Sequence, residues 1–302
     1  MSQAINDVGF VHKANVLIEA LPYMRQFSGK TVVIKYGGAA MNDESLKHAV
    51  MKDIVLMKYI GIQPVVVHGG GPKVSQVMER MGKKSEFVQG LRVTDIETVE
   101  IAEMVLAGSI NKEIVHLINQ HGGRAVGLCG KDAGLIQAKK HYPQVEDADG
   151  KITRLDIGYV GEIVRVDPEL LRSLKAADYI PVIAPNGDRD DGNPNNINAD
   201  TVAGEVAATL EAEKLILLTD TRGILLDPSD ETTLIPTLNT NQIDSYIQDG
   251  VISAGMLPKV EACTTALAAS VSKTHIVDGR LKHAMLLEIF TSHGIGTEIV
   301  KT

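Results

Sequence analysis

The chain is predicted to fold as an α/β protein, a three-layer αβα sandwich around a central, mostly parallel open sheet, with an amphipathic helix ahead of it. Two short runs lead to that reading: Thr31-Val32-Val33-Ile34-Lys35-Tyr36 and Pro64-Val65-Val66-Val67-His68. Each has the apolar, β-branched character of a strand buried on both faces of a parallel sheet. Each breaks into glycines, Gly37-Gly38 and Gly69-Gly70-Gly71, and helical periodicity follows both. The third observation is that strand–helix alternation returns beyond residue 200, the rhythm of a sheet covered by helices.

Taken in order, Val11, Ala14, Leu17, Ile18, Leu21 and Met24 recur at three- and four-residue spacing and predict an amphipathic helix. Pro22 is expected to kink or end it. Its apolar stripe either packs on its own domain or meets another subunit. Leu46, Val50, Ile54 and Met57 predict a helix over Glu44 to Ile60. A helix from about Lys73 to Met81 follows the second strand. Ile96 to Gln120 is a long helical stretch, capped by Asp95 and ended by Gly122-Gly123. Arg124 to Leu128 reads as a strand, and Ala133 to Val166 as hairpins. Pro168 to Ala177 is a helix and Tyr179 to Ala184 a strand. The polar run Asn186 to Pro194 is expected to be an exposed loop between lobes. Beyond it come a helix from Asp200 to Leu210, a buried strand from Lys214 to Thr219, and helices near Gln242 to Gln248 and Lys259 to Ala269. The last strands are His275 to Val277 and Thr297 to Val300. The expected division is a leading helix in 1–29, an amino-terminal lobe in 30–190 and a carboxyl-terminal lobe in 191–302.

Composition excludes several classes of function. With 302 residues, 44% of them hydrophobic and 23% charged, the chain is long enough for a substantial core and ordinary for a globular protein. A formal charge of −8 argues against a nucleic-acid partner, which selects a basic face. No apolar run approaches the roughly 18 residues that span a bilayer. Met1 to Asp7 lacks the basic-then-apolar order of a secretory signal, so a cytoplasmic location is expected. Cys129 and Cys263 lack metal-ligand spacing and read as structural thiols. The nine histidines are scattered, and no metal site built by the protein is expected.

Glycines at strand ends let the backbone approach a ligand without interference from Cβ. The N–H groups and helix N-termini that follow converge on an anion, and Lys35 adds a fixed positive charge. Phosphate handling is the chemistry these segments imply. Gly29-Lys30-Thr31 imitates the end of a Walker A loop, but Met24 stands where its first glycine belongs and the match precedes its strand. No G-x-G-x-x-G follows the first strand, which removes the dinucleotide fingerprint.

Five segments together resemble the amino acid kinase family, and within it the branch that phosphorylates N-acetyl-L-glutamate in arginine biosynthesis. They are Lys35-Tyr36-Gly37-Gly38, His68-Gly69-Gly70-Gly71-Pro72, Gly90-Leu91-Arg92-Val93-Thr94, Asn196-Ile197-Asn198-Ala199-Asp200 and Gly255-Met256-Leu257-Pro258-Lys259. The resemblance runs from about Leu21 to Ile299. It implies transfer of the γ-phosphoryl of MgATP to a side-chain carboxylate, with Mg²⁺ carried by the nucleotide. It also implies that Lys35 and Lys259 neutralise the moving phosphoryl group and that Asp200 orients both. Gly69, Gly70, Gly71, Arg92 and Asn196 would hold the acylated amino acid, and Gly37, Gly38, Thr219 and Asp220 would face ATP.

The residue chemistry suits these roles and leaves plainer ones open. Phosphoryl transfer depends on placement and charge stabilisation more than on covalent chemistry from the protein. Lys259 opens a helix, where a cation opposes the dipole, and a bound anion would relieve the conflict. Asp200 equally suits a helix cap. Arg92 can pair bidentately with a carboxylate, or lie on the surface. Asn196 offers donor and acceptor, but asparagine is also a turn residue. His68 reads as structural, and Thr219 with Asp220 equally suits a strand-to-turn cap.

Arginine-inhibited family members carry an extra N-terminal helix that interlaces dimers into hexamers, and the stripe around Pro22 is similar to it. They also carry patterns similar to His275-Ile276-Val277-Asp278-Gly279 and Leu287-Glu288-Ile289-Phe290-Thr291. The resemblance therefore implies L-arginine as inhibitor, near Tyr23, His275, Glu288 and Gly294, and a homo-oligomer, either a dimer or a trimer of dimers. A nitrogen-signalling protein binds some members; the sequence leaves that partner undetermined. Ser253-Ala254 departs from the family, whose members often have another glycine there. Two rivals remain. One is a member acting on glutamate, aspartate, carbamate or a nucleotide, disfavoured by Arg92, Asn196 and the lack of a long C-terminal extension. The other is a silent arginine sensor, which predicts loss of a clamp residue, whereas Lys35, Asp200 and Lys259 are all present.

Overall fold

In the computed structural model, residues 7–146, 152–189, 191–253, 255–291 and 294–302 are described. The β-branched runs bury as expected: all six residues of strand β1 (Thr31–Tyr36) are shielded from solvent, as are five of the six of β2 (Gln63–His68). Helix α1 (Asp7–Phe27) precedes β1, a 3-10 turn at Gly38–Met41 and α2 (Glu44–Tyr59) separate it from β2, and α3 (Gly71–Arg80) follows. A hairpin, β3 (Phe87–Val88) and β4 (Leu91–Arg92), leads to α4 (Ile96–Glu103), which passes through a π-helical turn at Met104–Ile110 into α5 (Asn111–Gln120). Next come β5 (Ala125–Cys129), β6 (Ile136–Lys140), β7 (Gln144–Glu146), β8 (Ile152–Arg154), β9 (Gly161–Val166), α6 (Glu169–Ala176) and β10 (Ile180–Ala184). A second hairpin, β11 (Asn186–Asp188) and β12 (Pro194–Asn196), enters α7 (Ala199–Thr209). The remainder is β13 (Lys214–Thr219), β14 (Thr237–Asn239), α8 (Ile243–Gln248), α9 (Leu257–Ala268), β15 (Lys273–Asp278), α10 (Ala284–Phe290) and β16 (Thr297–Val300).

The main sheet has the order β14-β16-β15-β13-β1-β2-β10-β5. It is parallel from β15 to β5 and turns antiparallel where β16 meets β15. Successive side chains of a strand point to opposite faces, and here both faces are covered. Val32, Ile34 and Tyr36 join a core with α2 and α5, whereas Val33 joins one with α7 and α9. That alternation makes three layers, and it aims Lys35, two residues after Val33, toward α7 and α9. A separate four-stranded sheet, β12-β11-β6-β9, sits beside them. β1 is the seam: it pairs with β2 from the first half of the chain and with β13 from the second.

Three expectations need correction. Of the two outcomes expected at Pro22, ending the helix is overturned: α1 continues through it to Phe27; the carbonyl that Pro22 deprives of a donor belongs to exposed Ile18, where water can take its place. The run from Asn186 to Pro194 is a hairpin with buried ends in place of a loop exposed throughout: Asn186–Asp188 pairs antiparallel with Pro194–Asn196, Asn186 and Asn195 are fully buried, and Asp191 and Gly192 at the turn are exposed. Gly187 permits this, since a Cβ there would press on Ile197 and Ala138. The Ile96–Gln120 helix carries the π turn noted above, which no periodicity in the sequence announces. Asp95 does cap α4, accepting from the Thr98 N–H at 2.8 Å.

Candidate functional site

Lys35, near the carboxyl end of β1, meets the first turn of α7. Its Nζ lies 3.0 Å from Asp200 Oδ1, and Lys259 Nζ lies 3.3 Å from Asp200 Oδ2. All three side chains are largely buried, Asp200 most of all at 8% exposure. Burial pushes the Asp200 carboxyl up, but the two ammonium groups outweigh it and hold it below the usual carboxylate range. Asp200 does not cap its helix. Asn198 does, accepting from the Asp200 N–H at 2.7 Å, which leaves the Asp200 carboxylate free for both lysines. Lys259 sits in the first turn of α9, against the dipole as the sequence suggests. The counter-charge already present is Asp200, so relief does not wait for a bound anion. Gly37 makes room for this arrangement, because a Cβ there would stand 2.7 Å from Lys35 Nζ.

The glycine loops close over the same point. Gly38 has φ +68°, and a Cβ on it would collide with the Asp220 carboxylate, which accepts a hydrogen bond from the Ala39 N–H. Asp220, at the end of β13, thus holds the start of the 3-10 turn across the sheet seam. Thr219 is buried beside it, its carbonyl accepting from the Gly279 N–H at 2.8 Å. The Gly69 N–H donates to the Tyr36 carbonyl at 2.8 Å, tying the two loops together. Gly70 lies against Ile110 and Leu106 of the π turn, whose side chains would occupy the place of its Cβ. His68 is structural: fully buried, it bonds the Gly69 carbonyl through Nδ1 and Asn111 through Nε2. Burial pushes its pKa down to about 4, so it is neutral.

Arg92 is buried and clamped. Nη2 donates to the Gly71 carbonyl at 2.9 Å and Ser75 Oγ at 2.8 Å, and Nη1 to Ser85 Oγ at 2.6 Å. Its guanidinium also lies over the Phe87 ring, 4.7 Å from the centroid. With Gly69, Gly70, Gly71, Asn196, Lys35 and Asp200, it lines one cavity of about 260 Å³. A second cavity, about 420 Å³, shares Gly38 and Gly70 with the first and reaches Asp220. Sequence reasoning missed Asn198, Ser75, Ser85 and Phe87. Asn198 had a signal, an asparagine immediately before the first residue of a helix; the serines and the phenylalanine had none.

Tyr23, His275, Glu288 and Gly294 line a separate cavity of about 320 Å³, with Lys214 and Glu298. His275 is nearly sealed, with Nδ1 2.7 Å from Glu288 Oε1 and Nε2 2.8 Å from Lys214 Nζ. The other Glu288 oxygen accepts from the Ile295 N–H at 2.7 Å and, more weakly, the Gly296 N–H. Burial would raise the Glu288 carboxyl, but His275 and these amides hold it down. Cys263 is buried, its thiol pushed up to about 12. Ala254, in the segment before Lys259, lies outside the described residues. Among the described residues no cluster of three or more His, Cys, Asp or Glu side chains could hold a metal ion, and no helix is long and apolar enough to cross a membrane.

The sequence pattern of the amino acid kinase family matches residues 30–278. The chain belongs to that family. The acetylglutamate kinase of Heliobacterium modesticaldum is 56% identical over 291 residues, covering 96% of this chain and 99% of that one. Among solved structures, N-acetylglutamate synthase from Neisseria gonorrhoeae, complexed with coenzyme A and N-acetyl-glutamate, superposes with a TM-score of 0.81 at 27% identity. The same synthase with coenzyme A and L-arginine gives 0.78 at 26% identity. Each superposition covers 96% of this chain but 63% and 65% of the synthase, so this chain spans less than two thirds of that protein. The sandwich is thus the amino acid kinase fold, and the five segments that resemble the family include the lysines, the aspartate and the glycine loops of one site.

Proposed function

We propose that this chain is an acetylglutamate kinase, transferring the γ-phosphoryl group of MgATP to the side-chain carboxylate of N-acetyl-L-glutamate. The observation that carries the reading is the Lys35–Asp200–Lys259 clamp, with Lys35 and Asp200 in the same cavity as Arg92 and Asn196. The full-length identity to acetylglutamate kinase of Heliobacterium modesticaldum supports the substrate. N-acetyl-L-glutamyl 5-phosphate is the product, and arginine biosynthesis the setting.

The acceptor carboxylate is ionised at neutral pH, so it attacks in line without a general base. The work of the protein is to hold donor and acceptor together and to stabilise charge as it spreads over the transferring group. Gly37, Gly38 and Gly70 offer backbone N–H groups, and Lys35 and Lys259 offer fixed cations already oriented by Asp200. Arg92 receives the α-carboxylate of the substrate and Asn196 its acylated amine. Mg²⁺ enters with the nucleotide and screens its phosphates. Asp220 and Thr219 flank the nucleotide end, and the acceptor site takes Arg92 from the amino-terminal half of the chain and Asn196 from the carboxyl-terminal half.

Arginine binding at the 320 Å³ cavity is part of this reading. Its support is the ionised Glu288 within a cavity of mixed charge and the arginine complex of the related synthase. Exposed Val16, Leu17, Ile18 and Leu21 on α1 support assembly through that helix, from dimers to a hexamer. The deciding experiment traps acyl phosphate with hydroxylamine, using MgATP and N-acetyl-L-glutamate beside glutamate and aspartate. Hydroxamate from the acetylated acid alone supports the assignment. Hydroxamate from another acid moves the substrate, and none from any acid sinks the enzyme reading in favour of a silent sensor.

A further inference from the structure

Asp200 is carried by α7 and Lys259 by α9, so their 3.3 Å contact spans the junction of two helices. Gly204 follows Asp200 by four residues and Ala262 follows Lys259 by three, each one turn along the same helix face. A Cβ at Gly204 would stand 2.7 Å from the Ala262 carbonyl oxygen, 2.9 Å from its Cα and 3.1 Å from its carbonyl carbon. All three are backbone atoms, so no change of rotamer relieves the contact. Gly204 is buried in mid-helix, where glycine is the least favourable residue apart from proline. Its presence there needs a reason, and the reason on hand is space.

We propose that Gly204 is a positioning residue: it lets α9 lie backbone to backbone on α7, and so fixes the reach of Lys259 to Asp200. The inference rests on the phosphotransfer reading above. Lys35 is on β1, so its contact with Asp200 does not depend on α9, and the device acts on one lysine of the clamp. Ordinary contact begins near 3.4 Å, so an added methyl now at 2.7 Å requires about 0.7 Å of extra separation. Taken wholly along the Lys259–Asp200 line, that carries the 3.3 Å pair to at most about 4.0 Å, the outer edge of an ion pair. A misplacement of this size at a reacting centre is felt as a rate.

The test is Gly204→Ala, alone and in a Lys259→Ala background, read as the single-turnover rate of phosphoryl transfer per bound nucleotide. Normalising to bound nucleotide removes any loss of folded protein. The expected result is a fall of about tenfold or more in that rate, with KM for both substrates within about twofold. In the Lys259→Ala background the same substitution should change the rate less than about twofold, because the group it displaces is gone. An unchanged rate in Gly204→Ala, or an equal loss in both backgrounds, overturns the proposal. If Gly204→Ala does not fold, Ala266→Val, which adds bulk one turn along from Ala262, carries the test under the same criteria. Absence of transfer by the unmodified protein would sink the functional reading instead, and is distinguished by that control.

Discussion

Replacing Asp200 with Asn isolates the charge that sits between the two lysines, because the amide keeps the size of the side chain. The carboxylate lies 3.0 and 3.3 Å from the two ammonium nitrogens. At an effective dielectric constant of about 20, each contact is worth about 5 kcal/mol before desolvation is subtracted. Removing one partner of a buried ion pair costs about 3–5 kcal/mol, since the remaining charge stays buried without compensation; here two are stranded. We therefore predict that Asp200→Asn loses about 3 kcal/mol of stability without ligands. Its kcat should fall about 100- to 1,000-fold, the scale of one lost electrostatic contact at a transition state. The measurements are urea unfolding of the free protein and hydroxamate formation at saturating substrates. Inorganic phosphate should restore part of the stability, by lodging between the lysines, and none of the turnover. A variant that turns over within threefold of the parent, with an unshifted unfolding midpoint, would refute the argument that Asp200 sets the charge of the clamp.

Arg92→Lys is expected to raise KM for N-acetyl-L-glutamate about tenfold or more with a smaller change in kcat, because lysine cannot reproduce the two-pronged geometry; an unchanged KM refutes it. Gly38→Ala forces a methyl onto the Asp220 carboxylate at a left-handed φ and should cut kcat/KM at least tenfold, whereas parent-like kinetics would show the loop to be unimportant. For His68 the folded pKa, about 4, lies below the usual value of about 6.5. Its contribution to stability is whole above about pH 6.5 and is lost as pH falls toward 4, about 3 kcal/mol in all. His68→Gln should flatten urea stability over that window relative to the parent; comparison with the parent also cancels Asp53, whose pKa, raised to about 6 by burial, acts in the opposite sense. Identical pH slopes refute it. On the proposed arginine inhibition, Glu288→Gln should raise the arginine concentration for half-inhibition at least tenfold, and equal inhibition of both proteins would remove Glu288 from the proposed site.

What the sequence made legible was whatever a local pattern encodes. β1 and β2 were readable because strands buried on both faces must be apolar throughout, and the lysines and glycines because their placement at strand and helix ends is chemically odd. Asn186 to Pro194 misled because its composition is that of a turn, while its ends are buried by strand pairing and Gly187 packs against Ile197 and the distant Ala138. Pro22 does not end α1 because the carbonyl it leaves without a donor is that of exposed Ile18, where water replaces the donor. The support of Arg92 by Ser75 and Ser85 was invisible, since three residues of unremarkable spacing meet only after α3 and the β3–β4 hairpin are packed. Asp220 is the sharpest case: its partner, Ala39, is 181 residues away, and only the sheet order brings β13 beside β1.

The clamp also bears on how the reaction ends. Two ammonium groups and one carboxylate leave the cluster with a single net positive charge. A bare pair of buried lysines would attract ADP and a freshly made acyl phosphate as strongly as it attracted ATP, and both would linger. With its built-in counter-ion the cluster is only modestly cationic by itself, so phosphates departing in the proposed reaction would leave behind a pair of lysines that is already satisfied. In the proposed reaction, the aspartate that arranges the arrival of the charge is therefore expected to ease its release as well.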